Sequence, residues 1–272
     1  AWTVRGLPTI SDTDGAQPSI LVWNDFGRRG QEDVWLTSLR LLGYAEGLDY
    51  DTYTTNGPSS GVSNGLGSAG AHGANADQLA GYHHIIYLSG DLNTGLLSNG
   101  TNSGRNDKGD DVGTLQQWQA LPGTRNIAYF GDYIASGMVS DSAEALAYLT
   151  TAMNVSFGDE DVRDVIGGQT APIVVPDAGG PYAANFATSY VAYGGCLTIN
   201  AFDQIQPGAG AVSGHLFTDP SGVPTEEDDA QSFVVGHALV VHERAALRQR
   251  LDGDPGLRFL SGDDDSREIS RV

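Results

Sequence analysis

The sequence predicts an α/β protein built on a doubly wound, mostly parallel sheet in three layers, with a β-rich, loop-rich C-terminal continuation. Three observations point there. Apolar runs that do not alternate, as in strands buried on both faces, recur at 20–23, 85–88 and 127–130. Helix-period patterns separate them, and strand–helix alternation is the signature of a parallel sheet. Beyond Gly167 the helix-length patterns give way to short strands split by Pro and Gly. The 272 residues, 40% of them apolar, suffice for one large domain with a real core.

Residues 1–17 are polar and turn-rich and read as an N-terminal arm or linker, leaving 18–251 as the domain. The run Ser19–Trp23, ending in Asn24-Asp25, is the first strand. Residues 31–42 follow as a helix whose inward stripe is Trp35, Leu39 and Leu42, closed by Gly43 at the C′ position. Tyr50–Thr54 alternates and reads as a second strand, and 56–75 is a long Gly/Ser/Asn loop. A short helical piece at 76–80 leads into the strand His83–Asp91, and a second Gly/Asn/Asp loop fills 93–111. Leu115, Trp118 and Leu121 mark a helix stopped by Pro122-Gly123, and 126–130 is the next strand, ending in Gly131-Asp132. Asp141 with Glu144 three residues on resembles a capping box, and Leu146, Leu149 and Met153 form the stripe of the helix it starts.

From about 168 onward strands are expected at 173–175, 190–193 and 233–235, with an Arg-rich helix at 238–251 and an acidic tail at 252–272. Trp23, Trp35 and Trp118 fall at core positions, whereas Trp2 sits on the arm, where it suits protein partners or self-assembly.

Composition removes several function classes. Fourteen basic against 34 acidic side chains give a net charge of −20, and Lys108 is the sole lysine. Phosphate binding needs clustered Lys and Arg, so nucleic acid is not expected as a partner. No apolar run reaches the roughly 18 residues of a membrane span, so membrane insertion is not expected. The single cysteine, Cys196, excludes an intrachain disulfide framework and a Cys-rich zinc site. The chain begins at Ala1 with no charged and apolar leader, which reads as a product whose address has been removed. With the acidic balance and the 37 glycines, this points to an extracellular or cell-surface location.

Candidate chemistry gathers at strand ends, because ligands of open parallel sheets sit at the carboxyl ends of the strands. Three predicted strands end in an acid: Asp25, Asp91 and Asp132. On one rim they would hold a hard cation or serve as an acid–base pair; strand-end Asp is more often a helix cap or turn acceptor. Asp107, Asp110 and Asp111, on a Gly-rich loop, are a candidate surface Ca²⁺ site, with a solvated acidic face as the commoner reading. Cys196 becomes a nucleophile only beside His215, His237 or His242, and a lone Cys after a strand is more often packed and inert. The G-x-S-x-G letters at 57–61 lie in a loop with no preceding buried strand, so they do not make a nucleophile elbow. No dinucleotide, Walker or His-Glu-x-x-His pattern occurs, so no cofactor is expected other than Ca²⁺.

The series Ile20–Asp25, Tyr50-Asp51, Leu79 through Ile85–Asp91, and Tyr129–Asp132 resembles a class I glutamine-amidotransferase-like domain over residues 18 to about 205. Tyr50-Asp51-Thr52-Tyr53 followed by Asn56-Gly57-Pro58-Ser59-Ser60 resembles the versions embedded in large secreted or surface proteins of bacteria. The resemblance implies a flavodoxin- or amidotransferase-like three-layer sandwich. It also implies lost chemistry: the family's elbow cysteine corresponds to Phe130-Gly131-Asp132-Tyr133, and no His-x-Glu pair exists, since His242 is followed directly by Glu243 and Arg244. The expected function is therefore a non-catalytic surface module acting in assembly or binding. The alternative is a hydrolase, metal-assisted through Asp25, Asp91 and Asp132 or thiol-based through Cys196.

Overall fold

A computed structural model describes residues 6–25, 32–55, 65–67, 73–101, 109–160, 173–180, 190–191 and 203–218. Trp2, Asp107, Cys196, the G-x-S-x-G letters at 57–61, and the expectations for 233–235, 238–251 and 252–272 lie outside these residues.

Four strands, β1 (Ile20–Asn24), β2 (Tyr50–Thr54), β3 (His84–Gly90) and β4 (Asn126–Gly131), form one parallel sheet in the order β2-β1-β3-β4. Between them run α1 (Glu32–Leu41) and α2 (Asp111–Ala120). The chain steps from β1 outward to β2, then returns past β1 to β3 and continues the other way to β4. Crossovers of one hand in opposite directions put their helices on opposite faces. The side chains follow. Leu21, Trp23, Ile85, Tyr87, Ile127 and Tyr129 share a core with Val112, Leu115 and Trp118 of α2. Ile20, Val22, Ile86 and Leu88 pack on the other face with Trp35, Leu36 and Leu39 of α1. Every residue of β1 is buried, as its uninterrupted apolar run requires.

Register stacks aromatics across the first face. Trp23 lies opposite Tyr53 and Tyr87, and Tyr87 opposite Tyr129. The Trp23–Tyr87 rings meet edge to face at 4.6 Å, a favoured aromatic geometry.

Two helix readings need correction. Leu42 is 51% exposed and not part of the α1 stripe. The helix ends at Leu41 in a Schellman motif, with Tyr44 N–H on Leu39 O (2.9 Å), Gly43 N–H on Arg40 O (3.0 Å) and Gly43 at φ +89°. Leu42 thus belongs to the turn, and Tyr44 packs on Leu39's side of the core in its place. After β4 the sequence reading places one helix starting at Asp141; the structure has two, α3 (Ile134–Asp141) and α4 (Ala143–Thr151). Ser142 is the N-cap of α4, its Oγ accepting from Ala145 N–H, while Asp141 closes α3. The buried stripe of α4 is Ala145, Tyr148 and Leu149, and Leu146 is 40% exposed, because α4 is turned to place the Tyr148 hydroxyl 2.9 Å from that of Tyr129.

The β-rich continuation starts earlier than 168. β5 (Val155–Asp159) pairs antiparallel with β8 (Gln204–Pro207), and β6 (Ile173–Pro176) pairs antiparallel with β7 (Tyr190–Val191) and β9 (His215–Thr218). The stretch read as an arm is fastened to the domain through Thr9 N–H, which donates to Asp51 Oδ2 at 2.9 Å. Among the described residues no helix is long and apolar enough to cross a membrane.

Candidate functional site

Because β1, β3 and β4 are parallel neighbours, their carboxyl ends do share one rim, as do Asp25, Asp91 and Asp132 that follow them. The three do not converge. Asp25 is buried and turned inward, accepting from the Thr55 hydroxyl and, at 2.8 Å, from Tyr87 OH. Beside it Asn24 donates to Glu32 Oε2 at 2.7 Å, so the β1 end is locked to the start of α1 and to the residue after β2. Burial pushes the Tyr87 hydroxyl well up, and the Asp25 carboxylate pushes it further, keeping the phenol a donor. Asp91 stands exposed at the mouth of the rim.

Asp132 faces different neighbours. Burial, then the nearby Asp91 and Asp203 carboxylates, push its carboxyl up to about 7. Asp203, just before β8, was not a sequence candidate; a long excursion of the chain returns it here, its N–H donating to Asp132 O at 2.9 Å. Asp203 Oδ2 accepts from Ala135 N–H (2.7 Å) and Ser136 N–H (3.0 Å) in the first turn of α3. The helix start has no side-chain cap of its own at Tyr133, so Asp203 supplies one from a distance. Burial nevertheless outweighs those amides and, with Glu160 adding to it, holds the Asp203 carboxyl up at about 6. Nothing local in the Asn200-Ala201-Phe202-Asp203 sequence signals this contact.

The candidate Ca²⁺ loop resolves differently. Asp111 is not on the surface: it is fully buried and accepts from Gly67 N–H (2.8 Å) and Ser98 N–H (3.2 Å). Asp110 caps α2, accepting from Gly113 N–H at 3.0 Å. Asp141 likewise accepts from Gly95 N–H and Leu96 N–H at 2.8 and 2.9 Å. These short carboxylates fasten Gly-rich loops by their backbone amides, a use for which Asp is well suited. Among the described residues no group of three or more His, Cys, Asp or Glu is placed to hold a metal ion. His83 and His84 lie at the opposite, amino end of β3.

A parallel sheet in the order β2-β1-β3-β4 with helices on both faces defines an α/β protein of the doubly wound, flavodoxin-like architecture. No family model and no curated protein matches the chain. Among solved structures it is similar to a ThuA-like protein from Bacteroides uniformis, 14% identical, over 84% of this chain and 78% of that one, with a TM-score of 0.40.

Proposed function

We propose that this chain is a non-catalytic binding module of an extracellular or cell-surface protein, with the carboxyl-end rim as its binding face and the N-terminal segment around Trp2 available to protein partners. The observation that carries this reading is the β4–α3 turn. Its residues are Asp132 and Tyr133, and the first-turn amides of α3 are occupied by Asp203. Acyl-transfer chemistry needs backbone donors free to meet a developing oxyanion. Here two such donors are already committed to a carboxylate of the protein itself.

A second reading has its own observation. A carboxyl group held near pH 7 beside another held near 6 is poised for general acid–base work, which supports a hydrolase using Asp132 and Asp203. The two readings part in a screen of chromogenic esters, peptides and glycosides with the wild type and Asp132→Asn. The binding reading expects equal, background turnover in both. Hydrolysis present in the wild type and lost in a folded Asp132→Asn overturns it. Cleavage by protease added to intact source cells checks the surface location.

A further inference from the structure

Away from the rim, one short motif carries chemistry of its own. Asn-x-Ser/Thr, with any residue but Pro in the middle, is the acceptor pattern for an N-linked sugar. It occurs twice in the chain, at Asn99-Gly100-Thr101 and Asn154-Val155-Ser156, and both copies lie among the described residues. The fold treats the two copies differently.

Asn99 lies in the loop between β3 and α2; it is half-buried and Thr101 is exposed. Its Oδ1 accepts from Thr101 N–H at 3.0 Å and from the Thr101 hydroxyl at 2.6 Å, which closes a turn around the side-chain amide. Its Nδ2 donates at 3.0 Å to Oε2 of Glu144, an exposed residue in the first turn of α4. Gly100 takes φ +78° and donates its N–H to Gly109 O at 2.8 Å, so the backbone of the turn is pinned to the start of the next segment. At Asn154 the same letters are used for packing. Its Nδ2 donates to Ala209 O at 2.9 Å, and Ser156 is held in β5 opposite Gln206. A Cβ on Gly208 would lie 2.3 Å from the Asn154 Oδ1, so this amide sits against the chain just after β8.

The difference bears on reactivity. An amide nitrogen is a poor nucleophile because its lone pair is delocalised onto the oxygen. It becomes reactive as an N–H proton leaves, and the charge then builds on Oδ1. At Asn99 two donors already meet that oxygen, as an oxyanion hole meets a developing oxyanion.

We propose that Asn99, and not Asn154, is an N-glycosylation site, modified on the folded chain by a glycosyltransferase that uses a glycosyl phosphate donor. The proposal rests on the extracellular reading above. Nδ2 bonds to the anomeric carbon of the donor as the bond from that carbon to the phosphate oxygen breaks. The phosphate leaves with the electron pair, and Nδ2 gives one proton to a base of the transferase. A primary amide carries two N–H bonds, so one remains to keep the contact with Glu144.

The test is a glycopeptide map of the full chain purified from its source cells, read by electron-transfer fragmentation, which keeps a sugar on its residue. Expected are hexose or hexosamine increments on Asn99 and none on Asn154. Thr101→Ser keeps the hydroxyl and should stay modified. Thr101→Val keeps only the N–H bond and should lose occupancy about tenfold or more, as loss of one donor to a developing charge predicts. Thermal unfolding confirms that both variants are folded. An unmodified Asn99 in the wild type, undiminished occupancy in Thr101→Val, or equal occupancy of Asn99 and Asn154 overturns the proposal. Protease added to intact cells separates this failure from that of the location. A bare Asn99 on a chain that the protease cleaves removes the glycan alone, whereas a bare Asn99 on a chain that it does not reach removes the extracellular reading as well.

Discussion

Replacing Asp132 by Asn is expected to stabilise the fold above pH 7 and to leave it unchanged near pH 4. Burial and two neighbouring carboxylates raise this carboxyl from 3.8 to about 7. Between those pH values the folded chain holds a proton that the unfolded chain has released. Stability therefore falls as pH rises from about 4 to about 7, and the penalty persists above 7. A displacement of about three pH units corresponds to about 4 kcal/mol, at about 1.4 kcal/mol each. Relaxation and water penetration around the buried carboxylate, with salt screening of the exposed Asp91 charge, reduce the effect recovered by Asn to about 2 kcal/mol. The assay is urea unfolding of both proteins at pH 4 and pH 8 with linear extrapolation to water. The gap should be under about 0.5 kcal/mol at pH 4 and open to about 2 kcal/mol at pH 8. Equal stability at pH 8, or a less stable variant there, would show that the Asp132 carboxylate is not held at a cost and would refute the electrostatic account of the rim.

Other substitutions separate the fastening aspartates from the surface. Asp111→Ala strands the buried Gly67 and Ser98 amides and should cost about 2–4 kcal/mol in denaturant unfolding, with faster hydrogen exchange at both amides. Gly67→Ala should cost about 2–3 kcal/mol by the same measure, because its Cβ would lie 1.9 Å from the backbone oxygen of Asp110 and the two loops must part. Leu39→Ala should lose about 2–4 kcal/mol from the α1 layer, while Leu42→Lys, three residues along but half exposed, stays within about 0.5 kcal/mol. Ser142→Ala, removing the cap of α4, should lower stability by about 1 kcal/mol, visible as a drop in Tm.

The core of the fold was legible because its signals are local. A strand buried on both faces must be apolar throughout, so β1 and β3 stand out without any knowledge of their neighbours. Gly43 announced the end of α1 by the same logic, since the left-handed residue of a Schellman turn is most easily glycine. Leu42 misled because apolarity in the last turn of a helix does not say whether the next residue continues the spiral. Asp141 misled because a carboxylate ahead of a helix is equally able to cap it or to reach across to Gly95 and Leu96, and only the position of that loop decides. β5 was missed because five residues ending in Gly158-Asp159 carry little strand character until β8 lies beside them.

The aspartates divide along the same line. That acids would end three strands and meet at one rim followed from the sequence, since parallel strands bring like ends together. Which of them turns inward, and which is left facing other acids, depends on hydroxyls, amides and charges arriving from remote positions. Tyr87 and Thr55 draw Asp25 into the core, whereas Asp203 comes to Asp132 from the residue just before β8. Chain periodicity is a property of neighbours in sequence and can be read there. The protonation and pairing of a carboxyl belong to its neighbours in space, and only the folded chain assembles those.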